Sequence, residues 1–312
     1  MHVHGEIVMA VHRPDPELLR RQVASLRCQT LADWTCRVGI DGSDPATLAL
    51  LTELIDADAR FVIHPFDDNV GVYRHVERLA RLVEESASWV ALCDQDDSWH
   101  SEKLARLVPL LNDTTAAVSC QADVVDRTGR RLGRTDRRDG DVVELLLRNQ
   151  LSGSLSVWRR DVVAQALPFP RSTAIAVHDH WLAVCAAAMG EVLVIDEALQ
   201  DYVQHGGNVI GEARPTRIRD ELRSAASHGG MLAHLDHTAD ERWEWRIAMA
   251  EELVQRGLNG GAASVVGDVA ARRLTPGLAR AVVRSVRRGR LRIRGAVGII
   301  ATAAWASWRS QR

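Results

Sequence analysis

Through its first 125 residues the chain alternates short apolar runs with segments whose apolar residues recur at helical spacing. Glu6–Val11 is an apolar run closed by His12-Arg13-Pro14-Asp15-Pro16, which predicts a strand ending in a turn. Pro16 suits the first turn of a helix, and Leu18, Leu19, Val23 and Leu26 follow at helical spacing. Thr35–Ile40, Phe61–His64, Trp89–Cys93 and Ala116–Cys120 read as further strands. Ala46–Ile55, Val72–Glu85 and a segment through Leu104, Leu107, Leu110 and Leu111 read as the helices between them. Strands separated by helices predict an α/β fold with a doubly wound, mostly parallel, Rossmann-like sheet.

The polar clusters fall at the strand ends: His12–Asp15, Asp41–Asp44, Asp67–Gly71 and Asp94–Asp97. Ligands of such sheets bind beyond the carboxyl ends of the strands, so these four loops predict one site. Gly129–Gly140, rich in Arg, Asp and Gly, predicts a mobile loop. A helix over Val142–Arg148, an apolar stretch at Leu155–Trp158, a helix around Ala176–Met189 and a strand at Val192–Ile195 follow. From Arg214–Arg223 onward the strand signals stop and the pattern turns helical. The expected boundaries are 1–213 for the α/β domain and 214–312 for a helical C-terminal region.

Composition, at 46 % apolar and 26 % charged, excludes a disordered or fibrous chain. Five scattered cysteines without a C-x-x-C pair argue against a disulfide framework or structural zinc and for a reducing compartment. Met1–Glu6 carries no basic stretch leading into an apolar run, so no signal peptide is expected, and the protein reads as cytoplasmic. Charge changes the picture more. Val269–Arg312 holds eleven arginines and no acidic residue, whereas the whole chain carries −2. The first 268 residues therefore carry about −13, and two bodies of opposite sign share the chain. Lys103 is the only lysine, a bias that reads as genome composition rather than mechanism.

Asp94-Gln95-Asp96-Asp97 is the strongest local signal. Three carboxylates within four residues repel one another unless a cation neutralises them, and oxygen ligands suit Mg²⁺ or Mn²⁺. At a strand end such an ion could bridge a nucleotide's pyrophosphate and neutralise a departing diphosphate. The competing reading is a solvated acidic turn that caps a helix.

Five motifs occur in a fixed order: Asp41-Gly42-Ser43, Asn69-Val70-Gly71, Asp94–Trp99, His178-Asp179-His180-Trp181 and Tyr202–Gly211. Together they resemble family 2 glycosyltransferases of the GT-A fold, nearest the bacterial rhamnosyltransferase-like branch that builds surface polysaccharides. The resemblance covers about residues 5 to 211. It implies an inverting transfer from a nucleotide-diphosphate sugar to a lipid-linked or polysaccharide acceptor. It places His12, Arg13 and Asp15 in the loop around the base and ribose. Asp41 takes the second acidic position of the family's Asp-Asp-Gly-Ser pattern, where Ile40 replaces the first. Asn69 and Gly71 would flank the donor. Asp94 and Asp96 would form the D-x-D element, with Asp96 on the metal and Asp97 a further ligand or a sugar contact. His205 would reach the metal or diphosphate, from a loop whose Gly206 and Gly207 admit close approach to phosphate.

Asp179 matches the family's catalytic base, and a carboxylate suits removal of a proton from an attacking hydroxyl. For Asp179 the alternative is a helix cap; for His178 and His180 a structural or rim role is expected. Ser152-Gly153-Ser154 resembles the segment lining the acceptor side. His228, His234 and His237 read as a solvated helix face.

In the basic tail, Leu278, Val282, Val283 and Val286 form an apolar stripe among arginines. Gly295–Trp308 is apolar, bears two tryptophans and is too short to span a bilayer. These features predict peripheral contact with anionic membrane on the cell's inner face; an appendage packed on the domain is the alternative. No nucleic-acid motif accompanies the charge. A non-catalytic sugar-nucleotide binder and a metal-dependent phosphotransferase or phosphohydrolase remain open, although no phosphate-loop motif G-x-x-x-x-G-K-[ST] is present.

Overall fold

A computed structural model describes residues 4–172, 176–205 and 243–309. Two compact units divide the chain. The first gathers Met1–Asp139, Gln150–Phe169 and His178–Val209; the second gathers Gly140–Asn149, Pro170–Val177 and Ile210–Arg312.

The first unit opens as the alternating pattern predicts. Strands β1 (Gly5–Val11), β2 (Trp34–Ile40), β3 (Phe61–Pro65) and β4 (Trp89–Cys93) pair in parallel in the order β3-β2-β1-β4. Helices α1 (Pro16–Arg27), α2 (Pro45–Ile55) and α3 (Gly71–Ala80) make the crossovers. Residues such as Ile7, Met9, Cys36, Val38 and Ala91 are fully buried, as strands covered on both faces require. The register runs Val11↔Ile40, Ile40↔Pro65 and Met9↔Cys93, so the loops after these strands leave from one edge of the sheet.

Beyond β4 the sheet is mixed. β5 (Ser98–Trp99), α4 (Lys103–Leu107), β6 (Thr115–Val125), β7 (Arg131–Arg134), β8 (Ser156–Arg159), α6 (Arg160–Ala166), α7 (His178–Met189) and β9 (Glu191–Val203) follow in this unit. Strand β8 runs antiparallel to both β4 and β6, while β6 and β9 pair in parallel. Among the described residues nine strands join in one sheet. The expected helix through Leu111 stops at Leu107 and tightens into a 3₁₀ turn at Val108–Leu110, because Pro109 supplies no N–H to continue it. β7 occupies part of the segment expected to be a mobile loop. Register shifts along β6–β9 mark bulges, which bend paired strands. Four tryptophans, Trp34, Trp89, Trp158 and Trp181, are fully buried in this unit.

Among its described residues the second unit is helical. α5 (Val142–Leu147) begins with a reciprocal capping box between Asp141 and Glu144. It packs against α8 (Glu244–Gln255) and α10 (Pro276–Arg287), with α9 (Ala263–Ala270) between them in sequence. The Arg246 guanidinium donates to the Leu147 carbonyl at 2.7 Å and 2.9 Å and so caps the end of α5. Arg288 approaches the buried Glu144 at 3.3 Å. α11 (Ile293–Arg309) buries Ala296, Ile299, Ala303 and Ala306 on one face and exposes Ile293 (71 %) and Val297 (64 %) on the other. Among the described residues no helix is long and apolar enough to cross a membrane.

Candidate active site

The first unit carries an open cleft of about 490 Å³ at the sheet edge, lined by His12, Arg13, Asp41, Gly42, Ser43, Asp44, Asp67 and Asn69. Its floor is Asp41, 4 % exposed. One carboxylate oxygen accepts from the Val70 amide (3.0 Å) and Arg78 (3.1 Å); the other accepts from the Gly71 amide (2.9 Å). Asp41 thereby pins the loop after β3 beneath the cleft. Gly71, at φ +76°, adopts a conformation that glycine reaches at little cost. Arg78 also pairs with Asp68 at 2.8 Å and stacks 4.0 Å over the Phe66 ring. Sequence reasoning did not find Arg78, because a helix arginine carries no local mark of the carboxylate it will meet.

The loop after β1 is stitched to the acidic quartet. The His12 amide donates to Gln95 Oε1 at 2.9 Å, and Gln95 Nε2 donates back to the His12 carbonyl at 3.2 Å. His12 Nδ1 lies 2.8 Å from the Asp41 carbonyl, and Asn69 Nδ2 lies 3.3 Å from the His12 ring. Thus His12, Asp41, Asn69 and Gly71 come together, and Arg13 lines the same cleft at φ +41°. Asp15 is differently employed. Its Oδ1 caps α1 through the Glu17 (3.0 Å) and Leu18 (3.3 Å) amides, and Oδ2 accepts from Arg127 at 2.7 Å. Arg127, followed by these amides, holds the Asp15 carboxyl below its ordinary range.

The quartet after β4 splits by environment. Asp94 is exposed. Asp96 Oδ2 lies 2.8 Å from His205 Nε2. Burial, then the negative charge of Asp94, pushes the Asp96 carboxyl above its ordinary range, opposed by His205. Asp97 turns inward and is 1 % exposed. Its Oδ1 accepts from the Val203 amide (3.2 Å), and its Oδ2 from Gln200 (2.5 Å) and Ser154 (3.3 Å). Both oxygens of Asp97 thus face protein donors. The tetrapeptide alone could not reveal this, because its partners lie 57 to 106 residues away.

A divalent ion is tested by this donor set. Among the described residues no three His, Cys, Asp or Glu side chains form a ready-made cage. Mg²⁺-type ions, however, are commonly held by one or two carboxylates plus substrate phosphates. Asp96, with its ionisation opposed by burial and by Asp94, gains from a nearby cation, and so the residues fit.

Asp179, in the first turn of α7, accepts from the Gly153 amide at 3.2 Å. Burial pushes its carboxyl up, while His178, the Gly153 amide and Arg137 oppose the shift. A Cβ on Gly153 would stand 3.2 Å from His178 Nε2 and 3.6 Å from Asp179 Cβ, so a residue without a side chain lets this turn approach. Ser154, next in the chain, reaches Asp97. His180 is buried. Gly206–Gly211, His228, His234 and His237 lie outside the described residues.

Comparison with known proteins gives a consistent picture. Residues 6–164 match the sequence profile of Glycosyl transferase family 2. An uncharacterized glycosyltransferase of Nostoc sp. is 22 % identical over 218 residues, 67 % of each chain. Among solved structures, residues 1–349 of S. aureus TarS in complex with UDP-GlcNAc are similar at a TM-score of 0.56 and 12 % identity, covering 99 % of this chain and 92 % of that one. A mannosyltransferase from Pyrobaculum calidifontis in complex with GDP-Man and Mn²⁺ is similar at a TM-score of 0.50 and 14 % identity, covering 98 % and 87 %.

Proposed function

The chain belongs to glycosyl transferase family 2, and from that membership we propose that it is an inverting, metal-dependent hexosyltransferase. It transfers from a nucleotide-diphosphate sugar to a lipid-linked or polysaccharide acceptor in cell-surface glycan synthesis, as the rhamnosyltransferase-like branch does. Residues 1–213 are assigned to its transferase domain and 214–312 to a C-terminal extension, with Gly140–Asn149 and Pro170–Val177 grouping with the extension.

The observation that carries this reading is the turn at Gly153–Ser154, whose first residue holds Asp179 and whose second holds Asp97 beside Asp96. One turn thereby ties the acid loop to the Asp179 carboxylate. The base and ribose lie in the cleft along His12, Arg13, Asp41 and Asn69. Asp96, with Asp94 and His205 beside it, would hold Mg²⁺ or Mn²⁺, which supplies neutralisation of charge developing on the diphosphate. Asp179 accepts the proton of the acceptor hydroxyl as that oxygen attacks the anomeric carbon from the face opposite the leaving group. The new C–O bond forms while the bond to the diphosphate breaks, and the anomeric configuration inverts. Burial favours this role, because a carboxyl pushed upward is a stronger base once ionised.

The extension supports peripheral contact with anionic membrane at the inner face of the cell membrane. On α10, Arg280, Arg284 and Arg287 flank Val283, which is 52 % exposed. The outer stripe of α11 adds Ile293 and Val297.

The test is release of nucleoside diphosphate from a panel of sugar donors, with Mn²⁺ and with EDTA. Transfer that stops with EDTA and resumes with Mn²⁺ is the expected result. Release unaffected by EDTA overturns the metal dependence, and no release from any donor in the presence of a glycan acceptor overturns catalysis.

A further inference from the structure

The only lysine of the chain is wholly buried at the start of α4, directly beneath the acidic quartet. Lys103 Nζ donates to the Ser154 carbonyl and to Gln200 Oε1 (2.6 Å), and sits 3.6 Å over the Trp99 ring. Gln200 completes the arrangement from β9. Its Nε2 donates to Asp97 Oδ2 (2.5 Å) and to Ser154 Oγ (3.1 Å). A buried ammonium and a buried carboxylate are therefore joined by one amide that accepts from the first and donates to the second. Separating two charges from water is expensive, and here the polar atoms of both are answered by protein partners.

The segments that meet at this network are those carrying the proposed chemistry. Asp97 follows Asp96 in the chain. The Val203 amide, bound to Asp97, stands two residues before His205, which touches Asp96. The Ser154 carbonyl, held by Lys103, belongs to the turn whose Gly153 amide holds Asp179. Ser154 lies in the turn before β8, a strand that pairs with β4 and β6, and Gln200 lies on β9, where it stands opposite Trp99 of β5. The β4–β8 ladder stops at Ala91↔Val157, short of the acid loop and the Gly153 turn, so beyond the direct Ser154–Asp97 bond it is the ammonium and the amide that brace the two.

We propose that Lys103 and Gln200 are positioning residues that set the relation between the Asp96 loop and Asp179, so that the proton acceptor and the diphosphate-side acids engage one substrate together. The proposal rests on the reading of Asp96 and Asp179 given above. It assigns to Lys103 a role that its sequence context did not suggest. The role differs from general stability: it predicts a local loosening confined to two segments and a rate loss without a loss of donor recognition.

The experiment uses the full chain with Gln200→Met, which removes the amide and leaves both charges, and with Lys103→Met. Hydrogen exchange is followed for amides of residues 153–156 and 200–204, with β1 and β2 as internal references. Exchange at the two segments should rise at least tenfold in Gln200→Met while the references stay unchanged. With the donor that supports turnover, kcat should fall at least tenfold while the donor KM stays within about twofold. Lys103→Met leaves Asp97 buried without its cation; where it does not fold, the double variant Lys103→Met/Asp97→Asn restores charge balance. That variant should fold while keeping both the fast exchange and the low kcat.

Unchanged exchange at residues 153–156 overturns the proposal whatever the activity. A uniform rise in exchange with unchanged kcat per folded molecule overturns it in favour of general stability. Failure of the underlying reading gives a different signature, in which Asp179→Asn retains the wild-type rate.

Discussion

At the scale of single residues, the site sorts acids of one type into different roles by environment. Asp96 stands where burial and Asp94 oppose its charge, and Asp179 where burial opposes its charge and one backbone donor favours it. Asp96→Asn keeps the shape and removes the anionic oxygen, so metal-dependent kcat/KM should fall at least about 100-fold, the scale of losing a few kcal/mol of charge stabilisation. Isothermal titration with Mn²⁺ and nucleoside diphosphate checks the loss, and full activity in EDTA contradicts it. Asp179→Asn should lower kcat by about 10² or more with donor affinity retained, because the amide cannot take the proton. The carboxyl acts only when ionised and its pKa is raised, so the wild-type rate should climb with pH on a limb lying above the ordinary value of 3.8. A pH–rate profile of Asp179→Asn should lack that limb. Parallel loss of donor affinity and rate would make Asp179 a donor ligand instead.

Asp15 belongs to the scale of elements, since its carboxylate closes the start of α1 and ties it to Arg127. Asp15→Ala removes a cap of a kind that contributes about 1 kcal/mol, and urea unfolding should report a loss of that order. The folded carboxyl is held below its ordinary value. Its contribution is therefore present above the unfolded pKa and fades as the pH falls through the folded one. Donor affinity should survive the substitution. A drop of fivefold or more in calorimetry would restore the nucleotide contact expected from the motif. The same scale explains which elements were legible. The parallel strands and crossovers of the first half declare themselves through apolar runs, turn residues and helical spacing. Strand β8 does not announce its reversed direction, because four residues with an apolar pattern look alike in either orientation.

For the whole molecule, the charge asymmetry is the feature that calls for a test. Deleting residues 269–312 would uncover α5, because α10 packs on it, so surface substitution is the cleaner probe. Ile293→Glu with Val297→Glu changes two side chains that are mostly exposed and leaves the packed face of α11 alone. Full-length protein should co-sediment with vesicles containing phosphatidylglycerol and not with pure phosphatidylcholine, at roughly 1 kcal/mol for each arginine near the surface. High salt should weaken the binding, and the double substitution should reduce it several-fold without altering transfer to a soluble acceptor mimic. Equal pelleting of both proteins, or of neither, identifies the extension as a structural appendage.

The sequence by itself determined the alternation of strand and helix, the gathering of polar loops at one sheet edge and the opposite charge of the C-terminal region. These properties are local: each follows from residue type and spacing within a dozen positions. The loops that carry His12, Asp41, Asn69 and Gly71 were found in this way, the residues themselves through the family resemblance, and they lie together. Only the tertiary structure decided that Asp97 turns inward, that Asp15 closes a helix, that Gly153 holds Asp179 and that Lys103 reaches Ser154 and Gln200. The direction of a side chain at a strand end depends on which distant donors close over it. The donors to Asp97 and the acceptors of Lys103 come from β9 and the Gly153 turn, 51 to 106 residues further along the chain, beyond the reach of any local pattern.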